Sequence, residues 1–138
     1  MSIQFEMLKE QSSIIKVIGV GGGGGNAVNH MYKQGSSGVD FIVCNTDAQA
    51  LELSPIPNKV QLGISLTEGM GAGADPDVGE NSAIESIEDI KRMLGTNTKM
   101  LFITAGMGGG TGTGASPVLA KAAKQLGILT VAIVTTPF

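Results

Sequence analysis

Hydrophobic and polar positions along the chain fall into alternating strand-like and helix-like stretches. Ile14 to Val20 (IIKVIGV) is a β-branched run that ends among glycines, the pattern of a buried parallel strand followed by a turn. A helix is predicted over Asn26 to Gln34, with Ala27, Val28 and Met31 on one face and Gly35 and Gly38 as its stop. Phe41 to Cys44 reads as a second strand closing on Asn45-Thr46-Asp47. A helical turn over Ala48 to Leu53 follows, ended by Ser54-Pro55-Ile56-Pro57, and Val60 to Leu62 is a weaker strand. After a loop from Gly69 to Gly79, the segment Glu80 to Leu94 places Ala83, Ile84, Ile87, Ile90 and Leu94 on one face and Glu85, Glu88, Asp89 and Arg92 off it. It reads as one amphipathic helix ended by Gly95. Met100 to Ala105 is a buried strand, Val118, Leu119, Ala122, Ala123 and Leu126 form a helical stripe, and Leu129 to Thr135 is the last strand. Strands separated by helices predict an α/β fold, a three-layer, Rossmann-like parallel sheet with helices on both faces. Such sheets bind ligands beyond the carboxyl ends of their strands.

Glycine changes this picture most. The chain has 21 glycines in 138 residues, roughly twice the average usage of about 7%. They are clustered: six lie between Gly19 and Gly25, six between Gly106 and Gly114, and three more are Gly69, Gly71 and Gly73. Nine basic and twelve acidic residues give a net charge of -3, and the basic ones form no cluster, which argues against a nucleic-acid surface. The longest apolar stretch, Ile128 to Val134, is far short of the roughly 20 residues a membrane helix needs, so no direct membrane insertion is expected. One cysteine and one histidine provide neither a disulfide nor a zinc site. A cytoplasmic protein is expected, with residues 1–13 a flexible lead-in to a single unit over 14–138. Cys44, inside a strand, reads as a small core residue, and His30 as a polar-face helix residue. Met31, Met93 and Met100 fit core packing, and Glu88 and Arg92 are spaced for a weak i,i+4 pair.

Both large glycine clusters fall between a strand and a helix, where backbone N–H groups and the helix dipole can meet an anion without a Cβ in the way. Gly19, Gly21 and Gly24 alone match GxGxxG only weakly, and a tight strand-to-helix turn would explain them as well. The second cluster, Gly106-Met107-Gly108-Gly109-Gly110-Thr111-Gly112-Thr113-Gly114, adds two threonine hydroxyls able to donate to phosphate oxygens. Neither cluster holds a lysine or arginine, and the GxxxxGK[ST] spacing of a P-loop is absent. A polyphosphate would rest on backbone N–H groups, helix dipoles and threonines, with a cation neutralising the rest.

Four segments in succession, GVGGGGGNAV (Gly19 to Val28), NTDAQAL (Asn45 to Leu51), GMGAGADPDVG (Gly69 to Gly79) and GMGGGTGTGASP (Gly106 to Pro117), resemble the FtsZ family of the tubulin/FtsZ superfamily. The resemblance runs from about Ile14 to the last residue. It implies a GTP-binding, GTP-hydrolysing cytoskeletal domain that binds GTP or GDP with Mg²⁺ held through the nucleotide. It further implies head-to-tail polymerisation into the bacterial division ring at mid-cell, alongside other division proteins. Position by position, Gly22, Gly23, Gly24, Gly25 and Asn26 would form the first phosphate loop. Gly106, Gly108, Gly109, Gly110, Thr111, Gly112 and Thr113 would form the signature loop around the α- and β-phosphates. Gly71, Ala72 and Gly73 would sense the γ-phosphate, and Asp47 would lie near the nucleotide and its Mg²⁺. An equally good reading makes Asp47 the N-cap of the turn starting at Ala48. Thr135 and Pro137 begin the loop that reaches the ribose in this family, a partial match.

The family's guanine-reading Asn and Asp, its central helix, its second, C-terminal domain and its NxDxxD loop are not in this sequence. In that family the last loop enters the neighbouring subunit's site and supplies the catalytic carboxylates, so no catalytic residue is assigned in this chain. The chain is expected to be an N-terminal portion of such a protein, inactive in GTP hydrolysis alone and prone to self-association, in a non-native or swapped dimer and not a filament, through the surface that the central helix would cover. In the full-length protein a bulky residue at Gly110 is expected to abolish nucleotide binding while leaving the fold intact. Two other classes stay open: a dinucleotide (NAD)-binding oxidoreductase domain, in which Asp47 would serve the ribose, and a non-enzymatic scaffold of the same fold.

Overall fold

A computed structural model describes residues 14–135. Among these residues, five parallel strands form one sheet: β1 (Ile15–Val20), β2 (Val39–Asn45), β3 (Asn58–Gln61), β4 (Met100–Gly106) and β5 (Leu129–Thr135), in the order β3-β2-β1-β4-β5. The connecting helices are α1 (Gly21–Gln34), α2 (Ala48–Leu53), α3 (Ile64–Thr67), α4 (Pro76–Glu85), α5 (Ile87–Leu94) and α6 (Gly110–Gln125). The chain lays β2 and β3 to one side of β1 and then returns to lay β4 and β5 on the other. The order therefore reverses between β1 and β4, and the crevice of an open α/β sheet lies at the carboxyl ends of that strand pair. α1 leaves β1 and α6 leaves β4, so the two large glycine clusters flank this crevice.

Strand residues alternate between two cores, as the two-residue period of a strand requires. Ile18, Val20, Ile42, Leu101 and Ile103 face Ile90 and Leu94 of α5 and Leu119 of α6. Val17, Phe41 and Val43 face Val28 of α1 and Leu51 of α2. Both faces thus carry helices, in the three layers expected. Cys44 is buried in the first core, and burial pushes its thiol pKa up, so it remains a protonated core residue.

The second face is only partly covered. Val17, Phe41, Phe102 and Ile133 line an apolar cavity of about 360 Å³ beside Met31. β5 is an edge strand on which Leu129, Val131, Ile133 and Val134 are 62%, 36%, 56% and 41% exposed.

Several elements differ from the sequence reading, each for a physical reason. α1 starts at Gly21, five residues earlier than the apolar pattern places it, and α6 starts at Gly110, inside the second glycine cluster. The buried positions of α1 are Gly21, Gly24 and Val28, whereas Ala27 is exposed and Met31 is 40% exposed. A Cβ on Gly24 would stand 2.2 Å from the Thr104 carbonyl oxygen, so this helix packs by having no side chain there. An apolar-stripe search cannot register that kind of burial. Met93 and Met100 are partly buried.

The single helix predicted over Glu80 to Leu94 is two, joined at Ser86, whose φ of -101° and ψ of 13° leave the helical region. Its Oγ accepts the Gly63 N–H at 3.0 Å and donates to the Gln61 carbonyl at 3.4 Å, tying the break to the end of β3. The turn of direction leaves Ile84 52% exposed. β3 ends at Gln61, α3 lies between β3 and the predicted loop where the sequence reading has no element, and the loop itself contains the first turn of α4. Arg92 pairs with Asp89, three residues back, instead of Glu88, which faces Lys91 at 3.9 Å.

Candidate functional site

Backbone-on-backbone contact builds the crevice. Gly21 has a φ of +76°, and a Cβ there would meet the Gly112 amide nitrogen at 3.0 Å. On Gly112 itself a Cβ would come within 2.6 Å of the Gly106 carbonyl oxygen. The first turns of α1 and α6 consequently lie side by side at the carboxyl ends of β1 and β4. Neither helix has a side-chain cap on its N-terminus. The N–H groups of both first turns therefore remain donors for something else, with two helix dipoles converging on the same place.

The third glycine segment closes on this crevice from above β2. Ala48 N–H donates to the Gly69 carbonyl at 3.1 Å, and Asp47 forms an antiparallel bridge with Met70. The turn from Gly71 to Gly73 passes over α6 so tightly that a Cβ on Gly110 would lie 2.7 Å from Asp75 N and 2.9 Å from the Ala72 Cβ. This corrects the expectation for Gly110. A bulky residue there must displace the 72–75 backbone, so it perturbs the loop as well as any ligand.

Asp47 is the N-cap of α2: its Oδ1 accepts Gln49 N–H at 3.0 Å and Ala50 N–H at 3.4 Å. The capping reading holds, and the same carboxylate sits beside Gly71, whose Cβ position would be 3.9 Å from the Asp47 Cβ. Asn45 supports it by accepting the Asp47 N–H at 3.1 Å. Thr113 Oγ1 accepts Gly108 N–H at 2.8 Å, which fixes the 108–113 turn. Thr111 is buried, and its Oγ1 is 2.7 Å from that of Thr46. Thr135 accepts Met107 N–H at 2.7 Å through its carbonyl, so it stays on the same edge but at the β5 end. Three strand spacings, about 14 Å, separate it from the Asp47 strand. Pro137 lies outside the described residues.

Two groups stand out among the glycines of the two clusters. Those at 24, 110, 112 and 114 touch backbone so closely that no side chain fits. Gly22, Gly25 and Gly109 meet nothing within 4 Å and have no positive φ. At these three, neither the fold's packing nor its backbone conformation calls for glycine. They face open space at the two helix N-termini.

Sequence reasoning missed four polar neighbours. Asn45 and Thr46 are in the Asn-Thr-Asp run but were read only as the lead to Asp47. Ser54 Oγ donates to Asn29 Oδ1 at 2.6 Å, and this pair helps line a cavity of about 50 Å³ with Gly22, Gly25, Asn26 and Asn45. No sequence spacing links residues 29 and 54; only the docking of α2 on α1 does.

The sequence pattern described as the tubulin/FtsZ family, GTPase domain, matches residues 14–138. The chain belongs to the tubulin/FtsZ family. It is 60% identical over 124 residues to the cell division protein FtsZ of Aquifex aeolicus (strain VF5), covering 90% of this chain and 34% of that one. It is 61% identical over 128 residues to the FtsZ of Pseudomonas putida, covering 93% and 32%. Among solved structures, the empty FtsZ dimer of M. jannaschii superposes with a TM-score of 0.88 at 43% identity, covering 99% of this chain and 40% of that one. CetZ2 from Haloferax volcanii, solved as a GTPγS-bound protofilament, gives 0.78 at 27% identity, covering 87% and 39%. The chain spans about a third of the length of these curated FtsZ relatives.

Proposed function

We propose that this chain is the phosphate-binding part of a GTP-binding cytoskeletal domain. GTP or GDP would lie across the crevice between β1 and β4, with its phosphates against the N-termini of α1 and α6. Gly22 to Asn26, in the first turns of α1, would hold one side of the phosphates, and Gly106 to Thr113, the end of β4 and the start of α6, the other. Gly71, Ala72 and Gly73 close over the terminal phosphate, and Thr135 and Pro137 lead toward the ribose. The observation that carries this reading is the open group of glycines, bare backbone presented where the fold itself has no use for it. An ion such as Mg²⁺ would be held through the phosphate oxygens of the nucleotide, with Asp47 as a carboxylate near it. Its chemistry when bound is to neutralise and orient the phosphates.

The family match favours this reading over a dinucleotide-binding oxidoreductase, which has no use for the second glycine cluster. In the whole protein the activity is GTP hydrolysis coupled to head-to-tail assembly of the cytoplasmic division ring at mid-cell, with other division proteins. This chain holds no carboxylate assigned to hydrolysis and binds without turnover. Thermal melts with GTP, GDP, ATP and NAD, each with Mg²⁺, test the reading, because a ligand of the folded state raises the melting temperature by mass action. GTP and GDP are expected to stabilise the chain without phosphate release. A shift with NAD alone overturns the proposal.

Self-association of the 138-residue chain follows from β5. The strand has no charged residue, proline or bulge along an exposed edge, which is the arrangement that invites edge-to-edge pairing. Light scattering at about 100 μM is expected to show species larger than the monomer. A monodisperse monomer would refute this.

A further inference from the structure

Thr46 directly follows β2 with none of its surface exposed, and its Oγ1 stands 2.7 Å from Oγ1 of Thr111 in the first turn of α6. Two hydroxyls in contact share one hydrogen: the one that donates spends its only O–H on the other. Thr111 can direct its own hydrogen at an anion only when Thr46 is the donor of the pair. The Thr46 main chain is held in place on its other side. Thr67 Oγ1 stands 3.4 Å from the Thr46 carbonyl oxygen and 3.2 Å from that of Gly63, so the one Thr67 hydrogen is shared between them. Two residues further on, Ala48 N–H is bound to Gly69. Thr46 is therefore held between Thr111 of α6 and Thr67 of α3, and no solvent competes for its hydroxyl.

We infer that Thr46 is a positioning residue for phosphate binding: its hydroxyl donates to Thr111 Oγ1, fixes the Thr111 side chain, and turns the Thr111 hydrogen toward an anion at the α6 N-terminus. The inference rests on the nucleotide reading above. Donation along the pair also polarises the Thr111 hydroxyl, so its bond to a phosphate oxygen strengthens. Thr46 itself touches no phosphate. Its effect passes wholly through Thr111.

GDP binding to the full chain, measured by calorimetry on wild type and variants, tests this. Thr46→Val keeps the shape and removes the donor, and is expected to weaken GDP binding about five- to tenfold, the equivalent of one net hydrogen bond. Thr46→Ser is expected to restore wild-type affinity. In a Thr111→Val background, Thr46→Val is expected to cause no further loss, because the group it orients is already gone. Equal affinity for wild type and Thr46→Val, failure of serine to rescue, or an undiminished loss in the Thr111→Val background would each overturn the inference. Should Thr46→Val not fold, Thr46→Cys, a weak donor of similar size, takes its place in the same comparison. A wild-type chain that binds no GDP sinks the nucleotide reading itself, an outcome distinct from wild type binding as tightly as its valine variant.

Discussion

Replacing Gly114 with alanine is expected to cost this protein a large share of its stability. A Cβ at that position would lie 1.9 Å from the Pro76 carbonyl oxygen and 2.6 Å from the Glu80 amide nitrogen. The neighbours are backbone of α4, not the end of a flexible side chain, so the two helices must move apart as bodies. Gly79 makes the reciprocal contact from α4, since a Cβ there would lie 2.2 Å from the Gly110 carbonyl oxygen. Separating α4 from α6 opens the core around Ala83, Ala115 and Leu119, all of which are completely buried. Overpacking alone typically costs about 1–3 kcal/mol, and the opened core adds to it. Alanine returns only about 1 kcal/mol of helix propensity over glycine, too little to offset this. Against a total stability on the order of 5–15 kcal/mol, a fall of roughly 10 °C or more in melting temperature is expected. Gly25→Ala is the matched control: the same chemical change in a helix, with nothing within 4 Å of the new methyl group. Identical melting of Gly114→Ala and wild type would mean that the α4–α6 backbone contact does not exist in solution.

This pairing of glycine with helix also explains what the sequence could and could not reveal. The strands were legible because β-branched runs need no distant partner to identify them, and β5 has the bounds its apolar pattern predicts. Helix starts were not, because glycine reads locally as a turn, whereas at Gly24, Gly110 and Gly114 it permits backbone to approach backbone inside a helix. The break at Ser86 escaped the apolar periodicity for another reason. Its hydroxyl answers to Gly63 and Gln61, more than twenty residues away, and tertiary hydrogen bonding overrides the helical period. In the candidate site, the glycine clusters and Asp47 stood out as motifs. Thr46 did not, because its partner is 65 residues distant and only the sheet order brings them together.

A leucine at position 22 should separate binding from folding, with effects of opposite sign. Gly22 is exposed within the first turn of α1, has no positive φ, and a Cβ on it would meet no atom within 4 Å. Leucine forms helix better than glycine by somewhat less than 1 kcal/mol, so Gly22→Leu should fold at least as stably as wild type. Its side chain would project from the face on which a phosphate must approach bare N–H groups. The donors remain, but the anion can no longer reach hydrogen-bond distance of about 2.9 Å. Loss of the charge-assisted bonds at that helix end should weaken GTP and GDP at least about 100-fold, or roughly 2.7 kcal/mol. Chemical denaturation without ligand and titration with GDP read the two effects separately. If Gly22→Leu binds GDP as wild type does, the nucleotide does not sit on the first glycine cluster. If binding and stability fall together, the fold does need glycine at this position, and the open group of glycines loses its meaning as a phosphate site.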